Sequence, residues 1–201
     1  LNLHIFEPRY RQLIKECYEN KKPFGIPSVL NNTVREMGTL MEIKEITNVY
    51  ESGEMDIKTE GTQVFKILEI IKELPDKLFS GAIVTYPQNI KKGNAGIMKK
   101  VVEGIRQIHK TLGVEKDFLK PDNELTSYDV AHHAGLSIED EYMLLEFLDE
   151  LHRQEFLKRH LMKVNPLMEK MVGSMATKGG DPAVVQSTMK IAMFAGAIIG
   201  N

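Results

Sequence analysis

The chain has 201 residues, 42% of them hydrophobic and 27% charged, which supports one large folded domain or two small ones and excludes disorder as the default. A formal net charge of -2 supplies no concentrated cationic surface of the kind phosphate neutralisation needs, so nucleic acid is not the expected main partner. Cys17 is the single cysteine, which excludes an internal disulfide and suits a reducing, cytoplasmic compartment.

The first segment, LNLHIFEPRYRQLIKECYEN, changes period at its middle. Leu1, Leu3 and Ile5 alternate with Asn2 and His4, the pattern of a half-buried strand, and Phe6 closes the run. Pro8 suits a first helical position because its ring presets φ and its missing N–H would have had no partner, while Glu7 sets negative charge at the helix's positive end. From Tyr10 the apolar residues fall at 10, 13, 14, 17 and 18, one face of a helix. Cys17 lies on that face and reads as a small buried hydrophobe. Tyr10 is expected to be buried too, so that Tyr10→Ala would cost ~3 kcal/mol.

Residues 24–87 read as an antiparallel meander of FGIPSVL, GTLMEIKEITNVY, EMDIKTE, TQVFKILEII and LFSGAIVTY. Glu51-Ser52-Gly53-Glu54 is a hairpin turn, and Gly61 is expected to separate the third run from the fourth. Pro27 costs a ladder hydrogen bond and argues for an edge or a bulge. In QVFKILEII, Val64, Lys66, Leu68 and Ile70 share one face, and Phe65, Ile67, Glu69 and Ile71 share the other. That is more apolar surface than one buried face uses. The surplus must be covered by a helix of this chain or by a partner, and Phe65, Ile67 and Ile71 are the candidate substrate contacts.

After Tyr86-Pro87 the period becomes helical. A helix begins near Asn94, carries Ile97, Met98, Val101, Val102, Ile105, Ile108 and Leu112 on one side, and stops at Gly113. Another runs from about Ser127 to Gly135, and Ser137 with Asp140 opens a long segment that breaks once near residue 150. The GGDP turn at 179–182 sets off a last, Met-rich helix. Within it AVVQSTMKIAMFAGAII, at 183–199, is apolar but is short for the ~20 residues of a membrane span and holds Lys190, so a docked or oligomerising helix is expected and no membrane. The N-terminus has neither a basic n-region nor a small-residue cleavage site.

LNLHIFEPRYRQLIKEC at 1–17, FGI at 24–26, GTLMEIKEI at 38–46, DIKTEGTQVFKILE at 56–69 and LSIEDEYMLLEFLDELHRQEFLKRHL at 136–161 together resemble, in order and spacing, the N-terminal substrate-binding domain of Lon (ATP-dependent protease La, peptidase family S16) and its stand-alone relatives. The resemblance covers about residues 1–163. It implies an α+β chain: a PUA-like antiparallel β-barrel over residues 1–90, an α-helical bundle over 91–165, and a tail at 166–201 that matches nothing. It implies that Glu7, Pro8, Arg9 and Tyr10 form a structural corner. Two departures stand out: in the family another apolar strand and a Phe-Pro turn precede the strand that enters the corner, so one barrel strand is expected to lie outside this sequence, and Thr62 and Gln63 stand where the family has an arginine.

The implied role is non-catalytic binding of unfolded or degradation-targeted polypeptides for ATP-dependent proteolysis, in the company of a protease or ATPase module. PUA-like barrels elsewhere bind RNA, so an RNA-binding module is the alternative; an aromatic content of 7% and no Trp count against it. A regulatory module that assembles as a homo-oligomer is a third reading.

Catalytic chemistry is sparse. KKGNAGIMKK at 91–100 has Gly93 and Gly96 but lacks the four-residue gap and the Lys-Ser/Thr pair of a phosphate loop. Ser174 and Lys178 have dyad spacing only if a helix continues into the following glycines, so a frayed helix end is expected instead. The adjacent His132 and His133 point about 100° apart on a helix, which does not suit one metal. Glu139, Asp140 and Glu141 belong to a helix's first turn, and His152 and His160 to a solvated face. No catalytic residue, metal or cofactor is expected.

Overall fold

The computed structural model describes residues 1–114 and 118–177, in two compact units, Leu1–Gln88 and Asn89–Asn201. The first unit is α+β. Strand β1 (Asn2–Ile5) runs into helix α1 (Pro8–Glu19), with Glu7 at the N-cap and Pro8 at the first helical position. Four strands follow: β2 (Phe24–Leu30), β3 (Thr33–Val49), β4 (Met55–Ile71) and β5 (Gly81–Thr85). Every pairing is antiparallel, in the order β1-β4-β3-β2, with β5 also on β4. The α+β class and the antiparallel sheet agree with the sequence expectation, but over the described residues the sheet is open, not a closed barrel.

The expected hairpin at Glu51–Glu54 joins β3 to β4, with Gly53 at φ 82 and the Tyr50 N–H donating to the Glu54 carbonyl. Gly61 does not separate two strands. It lies inside β4, where Leu40 pairs with Gln63 and Met41 with Gly61, leaving Thr62 as the extra residue of a bulge. Bulges of this kind bend two 17-residue strands that would otherwise be too long for so small a unit. Pro27 meets its expectation: β2 is an edge strand, and its register shifts between Pro27 and Val29. A turn not anticipated, Asn31-Asn32 with φ 51 and 58, joins β2 to β3, because asparagine tolerates the left-handed conformation that a two-residue hairpin demands. The unit's core is Ile5, Ile14, Phe24, Met41, Met55 and Ile57, with Leu13 and Cys17 of α1 packed against it.

The second unit is helical: α2 (Ala95–Thr111), α3 (Ser127–Val130), α4 (Ile138–Glu146) and α5 (Glu150–Thr177). The apolar face expected of α2 is what the fold buries, against Leu157 and Leu161 of α5. The Asn94 side chain caps α2 by accepting from the N–H groups of Gly96 and Ile97, and Gly113, at φ 63, follows its end. Ser137 accepts from the Asp140 N–H at the start of α4, and the expected break falls at residues 147–149. Pro166 does not end α5, which continues to Thr177. The GGDP turn, Lys178 and residues 183–199 lie outside the described residues.

At α3, Asp129 closes a capping box, accepting from the Thr126 N–H and hydroxyl, and Lys120 donates to its other oxygen at 2.6 Å. Partial burial pushes the Asp129 carboxyl up, but Lys120 and Thr126 together outweigh it and hold the group below its ordinary value. A depressed carboxylate contributes stability that is present above the unfolded-state value and is lost as pH falls through the native one. Asp129→Asn is therefore expected to destabilise the chain by about 1 kcal/mol at neutral pH and by progressively less as pH falls below the ordinary carboxylate value of about 4, measured by urea denaturation along a pH series.

Candidate functional site

The candidate contacts on β4 separate in three dimensions. Phe65 is 4% exposed, and its ring lies where side chains at Gly25 and Gly38 would otherwise be. Pairing sets Gly38 directly opposite Phe65, so the ring fills the space that glycine leaves. This corrects the expectation for Phe65: an already buried ring cannot offer surface to a ligand. Ile67 and Ile71 are partly exposed.

The open apolar surface lies beside them. Leu68 is 63% exposed, Ile70 47% and, on β5, Ile83 48%. A register shift between Ile67 and Glu69 explains why simple alternation missed Leu68, which is the extra residue and has no partner on β5. After the shift Glu69 pairs with Ile83 and Ile70 with Ala82, so Ile83 and Ile70 lie on opposite faces of the ribbon.

At the corner, Glu7 bonds Arg9 rather than capping α1: the Arg9 Nε donates to Glu7 Oε2 at 2.8 Å. The Arg9 guanidinium lies 4.6 Å from the centre of the Tyr10 ring, and Tyr10 is 40% exposed. Burial of Tyr10, read from its helical spacing, is thus corrected, because α1 puts only Ile14 fully into the core and Tyr10 at its margin. Tyr10→Ala is now expected to cost under about 1 kcal/mol in a thermal melt, the scale of a surface cation–π contact.

A polar clasp that the sequence reading missed ties β1 to the sheet. His4 Nδ1 lies 2.7 Å from Asp56 Oδ1, and the Tyr50 hydroxyl donates to Asp56 Oδ2 at 2.7 Å. The Tyr50 bond first, then His4, hold the Asp56 carboxyl below its ordinary value. His4 and Asp56 face each other across the β1–β4 pairing, a signal visible only once that pairing is known.

The second unit contains a cleft of about 540 Å³ whose lining includes Lys91, Asn94, Lys99, Asp122, Glu124 and Thr126. In the 91–100 loop the amides nearest the helix start are already engaged: the Asn94 N–H donates to Gln154, and those of Gly96 and Ile97 to Asn94. Beneath the cleft Glu150, 2% exposed, accepts from the Ser127 N–H and hydroxyl, from Gln154 and from Arg153. Arg153, 1% exposed, also donates to Asn89 and to the Phe147 carbonyl, and its guanidinium lies over Tyr128. All of its partners are used within the protein, so the cluster is a structural tie.

The remaining candidates are accounted for locally. His133 is 6% exposed, its ring centre 3.8 Å from that of His132 and tilted 40° to it; among the described residues no group of three or more His, Cys, Asp or Glu side chains is placed to hold a metal ion. Burial first, then Glu16, push the Cys17 thiol up against a smaller opposing effect of Lys22, which keeps it un-ionised at neutral pH. The Ser174 hydroxyl donates to the Met171 carbonyl. Among the described residues no helix is long and apolar enough to cross a membrane.

The fold is shared with known structures. The chain is similar to the Lon N-terminal domain protein from Xanthomonas campestris, at 20% identity and a TM-score of 0.56, with 78% of this chain and 86% of that one covered. It is similar also to the N-terminal domain of the Mycobacterium avium complex Lon protease, at 14% identity and a TM-score of 0.54, covering 81% and 90%. No curated protein matches. The family model of the ATP-dependent protease La (LON) substrate-binding domain matches residues 1–163, from the β1–α1 corner into α5, and the chain belongs to that family.

Proposed function

We propose that this chain captures exposed apolar segments of unfolded polypeptides and hands them to an ATP-dependent protease, without catalysis of its own. The sheet of residues 1–90 would make the contact, residues 91–165 would form a helical domain, and residues 166–201 would lie outside both. Family membership carries a substrate-binding, non-catalytic role and a protease partner in general terms. The observation that carries the finer reading is the exposure of three large apolar side chains along the β4–β5 ribbon, Leu68 and Ile70 on β4 and Ile83 on the face opposite Ile70. Burying apolar area of this kind stabilises a complex by ~25 cal/mol per Å² and discriminates little between sequences.

The test is a titration of labelled, reduced casein, with labelled single-stranded RNA in parallel. Casein is expected to bind at micromolar strength and to change little between about 50 and 200 mM salt, whereas a phosphate-driven complex would weaken steeply. Leu68→Ser with Ile70→Ser is expected to weaken casein binding by about tenfold, the worth of 1.4 kcal/mol. Salt-sensitive RNA binding without casein binding would establish the alternative, and an unaffected double variant would move the contact elsewhere.

A further inference from the structure

The cleft in the second unit has a buried hydrogen-bond donor in its wall that the fold leaves unused. Buried side chains of Met98, Val102 and Leu125 make part of the lining apolar. Gln154, 4% exposed, belongs to the same lining. Its Oε1 accepts from the Asn94 N–H at 2.8 Å, and its Nε2 donates to Glu150 Oε1 at 3.1 Å. A primary amide carries two N–H bonds on that nitrogen, so the second has no acceptor among the described residues. Buried donors are almost always paired, and one left over in the wall of a cleft is a place for a ligand's oxygen. Glycine at 93 makes room for this amide, since a Cβ there would lie 2.3 Å from Nε2.

The charges in the lining do not cancel. Asp122 is held by both terminal nitrogens of Arg106, at 2.7 and 2.8 Å, and Glu150 by Arg153 at 3.0 Å. Glu124 is the lining carboxylate left without a cation among the described residues. Against it stand two exposed lysines. Lys91 has no partner among the described residues, and the Lys99 ammonium group is 4.0 Å from Glu103, at the outer limit of an ion pair.

We infer that this cleft binds an apolar carboxylate, its hydrocarbon group against Met98, Val102 and Leu125 and a carboxylate oxygen accepting from the free Gln154 N–H, with Lys91 and Lys99 supplying positive charge. A volume of about 540 Å³ is in the range that takes small ligands. One negative charge suits the lining better than the two of a phosphate, because Glu124 and Glu150 share it and would repel the second. A free carboxylic acid and the C-terminal residue of a polypeptide both carry this chemistry. The inference does not depend on capture by the β4–β5 ribbon.

Titration of the isotope-labelled chain with N-acetyl-leucine, followed by NMR, tests the site against N-acetyl-leucinamide, which keeps the hydrocarbon and loses the charge. The acid is expected to shift the amide signals of Gly93, Ala95, Lys99, Glu124 and Thr126, and to bind at least about tenfold more tightly than the amide. Lys91→Gln with Lys99→Gln, both at exposed positions, is expected to keep the circular dichroism of the parent and to bring the acid down to the amide's affinity. No binding of the acid, equal binding of acid and amide, shifts confined to residues outside the cleft, or full binding by the double variant would each overturn the site. Tighter binding of inorganic phosphate than of the acid would overturn the carboxylate assignment. A short unstructured peptide ending in a free leucine carboxylate, compared with its C-terminal amide, separates the two sources. Selective binding of the peptide acid supports the site with a polypeptide end as its occupant, and binding of the small acid alone supports it with a free acid.

Discussion

Replacing Arg153 by methionine is expected to destabilise the helical unit by about 3–5 kcal/mol, the range for stranding one member of a buried ion pair. The guanidinium serves four elements at once: Glu150 in its own helix, Ser127 at the start of α3, Asn89 at the start of the unit, and the Phe147 carbonyl between α4 and α5. Methionine keeps most of the length and apolar stem but donates nothing. Glu150 then stays 2% exposed with its charge answered only by the Ser127 N–H and hydroxyl and by Gln154. Urea denaturation followed by circular dichroism measures the loss. A double variant, Glu150→Gln with Arg153→Met, separates charge from packing: it is expected to be more stable than Arg153→Met alone, because the stranded carboxylate is gone. A cost under about 1 kcal/mol for Arg153→Met would show that water or neighbouring groups replace the guanidinium.

Gly38→Ala is the second large effect, expected at about 2–3 kcal/mol from overpacking in the sheet. A Cβ at Gly38 would lie 2.4 Å from the Phe65 ring and 2.7 Å from the Ile26 carbonyl oxygen. The ring could turn aside at some cost in packing, but the carbonyl belongs to β2, whose edge register with β3 would have to shift. Adding Phe65→Leu is expected to recover part of the loss and not all, since it relieves only the ring contact. Full recovery would assign the whole effect to Phe65, and no initial loss would mean that the sheet yields freely at this edge.

The legible parts of this protein are those whose signal lies within one turn or one strand period. The α1 start at Pro8, the α2 stripe from Met98 to Leu112 with its Asn94 cap and Gly113 stop, the Gly53 hairpin and the edge position of Pro27 all follow from local sterics and hydrogen bonding. The family membership extends over residues 1–163 as a whole. Tertiary structure decided what depends on which strand meets which edge. Gly61 has the same local freedom in a turn as in a bulge, and only pairing with Met41 settled that it stays inside β4. Phe65 is buried because Gly25 and Gly38, far away in sequence, leave room for its ring, while Leu68, displaced by the β4–β5 bulge, faces solvent. Ser127, Glu150 and Arg153 carry no joint signature in the chain and meet only because α3 is folded against the start of α5.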